Sequence, residues 1–542
     1  MRNQPEANHG TGLPPCATEF IRQVVRRMWY RRKARQDVQA ELTSHFEDAV
    51  RDCTTAEEKE RRTRELIEGF GDVKLLAALC HRAKKRCRPW WQKVVLRSAQ
   101  GLGVFVLYYL LCVAPILLGR PTIRVNYAEW LSNHWRPEAQ EVENAKVYYD
   151  EAAKLLVPPP AGLEGKVWTR GWKVGEDDGN DLLAMEAWLA TNEAAFGALR
   201  RGANTLHYWP TYDTNDSVPI EKSITEDEAD SLRPWRHAIF TFRPQILWEA
   251  RRGQVAQALD DCLALQRVGR HLQGKGSLNS QLVGISIEAF AYDGVTTILR
   301  HWEVPLSVLA HVQKELTSSF DFNRQVIDLA CEKALWCDRI QRTFTDDGQG
   351  GGHALSRGFI YAAGDWRDNL INTFKFHYPD RGEAMAMVDQ YFQHAQRRLD
   401  APPPPMAKAC AEPNDLAPIS TLNVMLSLLT PAYDRVAQLA WRLKTHEIGL
   451  ITLLAIQRYS HEYGSYPDNL DQLVKGGLLK QLPKDPFGPG SLTYRKTDPG
   501  FLLYSWGTNL KDDGGQLGTG SQGQPGMWAG NGDWVFWPVP EL

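Results

Sequence analysis

A mainly α-helical chain with one membrane-crossing helix and a small α+β module at its C-terminal end is the architecture this sequence predicts. Three observations carry it. Apolar residues recur at three- and four-residue spacing along most of the chain; residues 98–119 contain no charged side chain; and strand-like runs are confined to the region after Pro486. The predicted order is a disordered N-terminus (1–17), a cytoplasmic helical bundle (18–92), a transmembrane helix with its flank (93–119), an irregular extracytoplasmic helical domain (120–435) and an α+β module (436–542) with a small antiparallel sheet.

A length of 542 residues with 43% apolar and 24% charged side chains is ordinary globular composition, enough for roughly two to four domains with substantial cores. The net charge of -2 hides a basic first 97 residues and a mildly acidic remainder. Glu57, Glu58, Glu60, Glu65 and Glu68 interleave with the basic residues, which reads as a solvated helical face rather than a nucleic-acid surface. The 9 cysteines include no CxxC and no Cys/His pair at zinc-ligand spacing, so no metal framework is expected from them. Cys262, Cys331, Cys337 and Cys410 lie beyond the membrane segment, where oxidation is open. Cys331 and Cys337 share a predicted helix that separates their Cα atoms by about 9 Å, too far for a mutual disulfide.

In the first region Phe20, Val24, Val25 and Met28 repeat at helical spacing, as do Val38, Leu42, Phe46 and Val50, then Leu66, Ile67 and Phe70; after a Gly71-Asp72 break come Leu75, Leu76 and Leu79. Three or four short helices result. The run Glu41-Leu42-Thr43-Ser44-His45-Phe46-Glu47-Asp48, followed by Glu65-Leu66-Ile67-Glu68-Gly69-Phe70-Gly71-Asp72-Val73-Lys74-Leu75-Leu76-Ala77, resembles the HAAS-type helical domain found beside membrane helices in bacterial signalling and envelope proteins. Glu41, His45 and Asp48 lie one turn apart, and an exposed face accounts for them better than a metal site.

At 1.5 Å per residue, residues 98–119 span about 33 Å, matching a hydrocarbon core of about 30 Å. A signal peptide would begin at the extreme N-terminus, and a soluble core helix of this length would keep a polar stripe. Arg82, Lys84, Lys85, Arg86, Arg88, Lys93 and Arg97 precede the span, against Arg120, Arg124 and Arg136 after it. The positive-inside rule therefore places the N-terminus in the cytoplasm of a bacterium and the bulk of the chain outside it, with Trp90 and Trp91 as interfacial anchors of a single-pass inner-membrane protein.

Helical periodicity continues through the middle region, in Val142, Ala145, Tyr149 and Ala152, in Leu182, Met185 and Leu189, and in Val255, Leu259, Cys262 and Leu263. The helix around residues 246–273 is similar to the helix pairs of tetratricopeptide-like solenoids, but no 34-residue repeat returns. Loops are expected at Pro158-Pro159-Pro160, Gly175-Glu176-Asp177-Asp178, Gly348-Gln349-Gly350-Gly351-Gly352 and Pro402-Pro403-Pro404-Pro405. Catalytic motifs fail in turn. His446-Glu447 opens like HExxH but Leu450 stands where the second zinc ligand belongs; Gly284-Ile285-Ser286-Ile287-Glu288 lacks the last Gly of a nucleophile elbow; the glycine run has no following Lys-Ser or Lys-Thr. That run, with Asp346 and His353, reads as a mobile segment, and Glu226, Asp227 and Glu228 read as solvated charge.

The last region begins with a helix carrying Leu443, Ile448, Ile451, Leu454 and Tyr459, stopped by Gly464 and Pro467. A short helix at 470–479, two strands at 492–495 and 500–507, an acidic Gly-rich loop and a strand at 533–536 follow. Here Tyr459, Gly464-Ser465-Tyr466-Pro467, Leu470, Leu473, Asp485-Pro486-Phe487-Gly488, Tyr494, Tyr504-Ser505-Trp506-Gly507, Asp513-Gly514-Gly515 and Gly532-Asp533 resemble the globular part of type II secretion major pseudopilins over about 100 residues. The departure is equally informative. A fibre subunit needs a processed N-terminal helix with a Gly-Phe cleavage site and a Glu five residues in, whereas this helix carries Arg442, Lys444, His446 and Glu447, which no fibre core would bury. The resemblance implies a calcium ion in the acidic loop, held by Asp512, Asp513 and Asp533, while Asp-Gly pairs also simply make turns.

The expectation is a non-enzymatic, bitopic envelope protein acting through protein interaction, linked to secretion or pilus-like machinery, with the bilayer and envelope or secretion proteins as partners and no nucleic acid. A transmembrane sensor signalling through the N-terminal bundle is the first alternative. A membrane-anchored hydrolase is the second.

Overall fold

The structure is a computed structural model that describes residues 12–28, 30–86, 90–117, 119–139, 141–163, 179–355, 379–403, 430–520 and 523–539. The expected loop at Gly175-Glu176-Asp177-Asp178, Cys410, and residues 1–11 of the expected disordered terminus lie outside them. The described chain is mainly helical with a small antiparallel sheet near its C-terminus. It forms two compact units, Met1–Ala114 and Pro115–Leu542.

The first unit opens with α1 (Pro15–Arg27), which starts inside the stretch expected to be disordered because Pro15 sits in the first helical turn, where a missing N–H costs nothing. Then come α2 (Arg32–Val50), α3 (Ala56–Phe70) and α4 (Val73–Arg86). Thr55 caps α3, Gly71 ends it at φ 72°, and Asp72 accepts from the Lys74 N–H to begin α4. Most of the predicted periodic positions meet in one core of Phe20, Val24, Met28, Val38, Leu42 and Phe46, with the Phe20, Phe46 and Phe70 rings 5.7 to 6.0 Å apart, whereas Leu75 and Leu79 stay exposed. Helix α5 (Trp90–Leu117) follows, and its segment Val94–Leu111 is apolar and wholly unburied.

The second unit contains α6 (Tyr127–His134), α7 (Lys146–Leu155), α8 (Gly179–Thr191), α9 (Glu193–Asn204), α10 (Ile220–Asp227), a π turn (Glu228–Leu232), α11 (Arg233–Arg251), α12 (Val255–Leu272), α13 (Leu278–His301), α14 (Leu306–Ser319), α15 (Ala330–Thr343), α16 (Arg381–Asp400), α17 (Thr430–Tyr463) and α18 (Asp471–Lys475). Helix α13 is also long and apolar enough to cross a bilayer. It is a core helix of this unit, for it buries Gln281, Glu288 and Tyr292 against α12 and α17. Its approach to α12 is set by two glycines: a Cβ on Gly269 would stand 2.7 Å from the Gly284 carbonyl oxygen.

Strands β1 (Thr493–Lys496), β2 (Phe501–Ser505) and β5 (Trp534–Trp537) form an antiparallel sheet in the order β1-β2-β5, beside a ribbon of β3 (Gly518–Thr519) and β4 (Pro525–Gly526). Helix α17 begins at Thr430, before the boundary expected at residue 436. It packs against α13, α14 and α16 as well as β2 and β5. Gly449 gives the sheet its close approach, because a Cβ there would lie 2.7 Å from the Phe536 ring. One apolar core therefore runs without a break across residues 435 and 436, from Ile246 and Ile285 through Leu443 and Ile451 to Leu503 and Phe536.

Candidate functional site

The charges that set α17 apart from a fibre helix are where the second unit concentrates its buried polar chemistry. Successive side chains on one helix point in different directions, so Lys444, His446 and Glu447 each meet a separate neighbourhood. Glu447 (1% exposed) faces α12 and α13 and joins Arg270, Arg324 and Glu288 (0% exposed) in a quartet of two carboxylates and two guanidiniums. Arg270 Nε donates to Glu288 at 2.7 Å and its terminal nitrogen reaches Glu447; Arg324 donates to both Glu288 oxygens at 3.3 Å. Tyr292 donates to Glu288 at 2.6 Å and Gln273 to its other oxygen at 2.6 Å.

The two acids differ in what holds them. Burial opposes charge on Glu288, but Arg324 and Arg270 overcome it and hold that carboxyl below its ordinary range. Burial pushes Glu447 up to about 7 against the pull of Arg270. Ion pairs buried this deeply are worth little over an apolar replacement, yet removing one member strands a desolvated charge.

Two clefts border the quartet. Arg324 lines one of about 370 Å³ with Asp400, Trp441 and Lys444. Arg270 lines one of about 460 Å³ with Gln266, Arg267, His271 and Glu315. The basic side chains lining both are partnered: Lys444 donates to the Phe322 carbonyl at 2.9 Å and lies 4.3 Å from the Trp441 ring centre, and Arg267 pairs with Glu315 at 2.9 Å. Burial, then repulsion from Arg324, lowers Lys444 to about 8.

His446 turns the other way, among Tyr292, Trp528 and Phe536, with ring centres 5.1 to 6.2 Å away. Burial and the charge of Arg442 lower it to about 3, so it is neutral in the range where cells live. His446 and Glu447 thus serve two separate faces of α17. Arg270, Glu288 and Arg324 went unrecognised in the sequence, although a lone Glu in the apolar run of α13 is a visible signal that a partner must exist.

The acidic loop brings its three predicted residues into one neighbourhood with separate partners. Asp512 accepts from the Tyr504 hydroxyl at 2.7 Å and the Gly514 N–H at 2.9 Å; Asp513 accepts from Asn509 at 2.7 Å; Asp533 accepts from the Gly515 N–H at 2.7 Å. Asp533 is fully buried and its second oxygen, Oδ1, has no hydrogen-bond partner. Burial raises its pKa, and the charges of Asp513 and Asp512 raise it further. An orphaned buried carboxylate oxygen near two further acids fits a hard cation. The oxygens already committed to Tyr504, Asn509 and the loop amides fit it less well, and no group of three Asp, Glu, His or Cys side chains among the described residues is arranged to hold a metal ion.

Other acids fall outside the expected pattern. Asp346, expected in a mobile segment, pairs with Arg381 at 2.8 Å and with Arg124, and the Gly348 N–H, then both guanidiniums, lower its pKa. Asp227 and Glu228 are tied in place instead of solvated: Asp227 meets Lys146 at 3.2 Å, and Glu228, in the π turn, accepts from Ser277 and Asn279 at the start of α13. Cys262, Cys331 and Cys337 are buried free thiols. No family model, curated protein or solved structure matches this chain.

Proposed function

We propose that this chain is a single-pass, non-enzymatic protein of the bacterial inner membrane that works by protein interaction, presenting its C-terminal module as a fixed docking cap outside the cytoplasm. One observation supports the reading above the rest. Helix α17, which in the pseudopilins that the module resembles would be free to enter a fibre, is enclosed on one side by α13, α14 and α16 and on the other by β2 and β5. Its fibre-forming face is thus used up within the chain, and its loops are what remain to meet another protein. The charge-free stretch of α5 from Ser98 onwards, with basic residues before it, supports N-in insertion, and the closed state of the Arg270–Glu288–Arg324–Glu447 quartet favours a structural role over a hydrolytic one.

Calcium belongs to the same proposal. Asp533, with Asp512 and Asp513, would hold the ion, which would neutralise the orphaned oxygen and fix the loop. Several millimolar calcium is expected to raise the melting temperature of the detergent-solubilised full chain by about 2–4 °C, and Asp513→Ala to abolish the rise. An unchanged melting temperature removes calcium from the reading without touching the rest.

The docking role is tested by cross-linking and affinity capture of the full-length protein from its own membranes. Secretion or pilus-assembly components captured through the C-terminal module are the expected result. The separate core of the N-terminal unit favours the sensor as the second reading; capture only of cytoplasmic regulators, through residues 18–92, would replace the docking role by it.

A further inference from the structure

Helix α4 is apolar on two faces, and among the described residues only one of them is covered. Ala77 is buried, and Val73, Leu76 and Cys80 pack against the bundle core, while Lys84 pairs with Glu41 of α2 on the same side. Leu75, Ala78, Leu79 and Arg82 fall on the opposite face at helical spacing, and the two leucines are 62% and 52% exposed. A surface helix of a soluble bundle carries polar residues there. The charge of α4 is one-signed as well: its sequence VKLLAALCHRAKKR contains five basic residues and no acid. Acids of the unit lie on other helices, among them Glu57 and Glu58 at the start of α3.

Position supplies the occupant. Arg86 ends α4 and Trp90 begins α5, so the chain between them reaches at most about 14 Å. Basic residues continue across that junction in Arg88, Lys93 and Arg97. Two exposed leucines flanked by Lys and Arg, tethered this close to an apolar helix, have the composition of a segment that lies in a headgroup layer, with leucines in the acyl boundary and cations among phosphates.

We propose that the Leu75–Leu79–Arg82 face of α4 docks on the anionic lipid headgroups at the point where α5 enters the bilayer, holding the N-terminal bundle flat against the membrane. The inference rests on α5 spanning that bilayer. It assigns the exposed leucines to lipid, not to a second copy of the chain or to a soluble protein.

Amide hydrogen exchange of the full-length protein in nanodiscs tests it, with phosphatidylcholine alone compared with phosphatidylcholine containing phosphatidylglycerol. Exchange over the α4 peptides is expected to slow about tenfold in the anionic discs, with α3 unchanged and the effect reduced at high salt. Leu75→Glu together with Leu79→Glu should remove the difference while leaving α1–α3 protection intact, since neither side chain enters the core. Equal α4 exchange in both lipids overturns the proposal, as does protection that depends on protein concentration and not on lipid, which would assign the face to a second copy. A chain that elutes free of the discs overturns the spanning reading itself, and is distinguishable because no disc-bound protein then remains to compare.

Discussion

The two units treat charge in opposite ways. In the N-terminal bundle the ion pairs lie mostly along single helices at three- or four-residue spacing, as in Arg64–Glu60 at 2.8 Å with side chains 69% and 50% exposed. In the second unit, beside surface pairs of the same kind, several join distant segments in the interior, as in Arg270–Glu288 at 2.7 Å, where exposure falls to 15% and 0%. Distance is nearly the same and consequence is not. Water screens the first pair and leaves it worth a few tenths of a kcal/mol, whereas the second is committed to its geometry because neither partner can be resolvated. The bundle takes its specificity chiefly from apolar packing, with Lys84–Glu41 as an ion pair between two of its helices; the larger unit adds a buried ionic lock.

The strongest way to break this contrast is Glu288→Ala. It strands Arg270 and Arg324 against a single remaining carboxylate, and a loss of about 3–5 kcal/mol is expected. Denaturant unfolding of the solubilised full chain, followed by exchange-detected peptides from each unit, should show the second unit's transition moving to lower denaturant with the bundle's unmoved. A change below about 1 kcal/mol would mean that the quartet is as inconsequential as the surface pairs.

Gly269→Ala probes the same lock from the backbone. The new Cβ would meet the Gly284 carbonyl oxygen at 2.7 Å and the Glu288 N–H nitrogen at 2.8 Å, so α12 and α13 must separate. Overpacking of this kind costs about 1–3 kcal/mol. Ala at exposed Gly69 of α3, where a Cβ meets nothing within 4 Å, should not destabilise and supplies the control.

These features differ in how far the sequence displays them. Leu42 and Phe46 are legible because helix periodicity is a local property, and most of the bundle core consists of residues that it picks out, although Leu75 and Leu79 share that periodicity and stay exposed. The sheet was legible for a similar reason, since Phe501 to Ser505 is a short apolar run between turn residues. Glu288 was not, because its meaning depends on Arg324 thirty-six positions away and on Arg270, which itself reaches Glu447 across 177 positions. Asp346 was misjudged for the same cause: its neighbours form a glycine-rich run, while the Arg124 that pins it is 222 positions distant. In the acidic loop, Asp512, Asp513 and Asp533 could be chosen by type and order, but the orphaned oxygen of Asp533 is a fact of burial that no spacing encodes.

A second acid pair sharpens the comparison through pH. Glu249 and Asp261 share Arg200, and burial, then the Asp261 charge, pushes Glu249 up to about 8. The folded state therefore keeps a proton that the unfolded chain releases near pH 4.5, so stability falls as pH rises from about 4.5 towards 8. After discounting for solvent screening, about 1–2 kcal/mol of the second unit's stability should disappear between pH 5 and pH 8.5. Glu249→Gln should flatten that part of the profile, and an unchanged slope would assign the pH response elsewhere.

The smallest expected effect is the one on which the contrast depends most. Glu60→Ala removes the partner of Arg64 on α3, at a spacing and length that would look strong in isolation. Both side chains keep most of their hydration without each other, and the helix gains the better propensity of Ala, so the two terms nearly cancel. A change within about 0.5 kcal/mol is expected in the bundle's unfolding at 0.15 M salt, and still less at 1 M, where the Debye length contracts to about 3 Å. A loss of about 2 kcal/mol would have to come from a network that reaches beyond α3, and the bundle would then owe its geometry to charge after all, as the larger unit does.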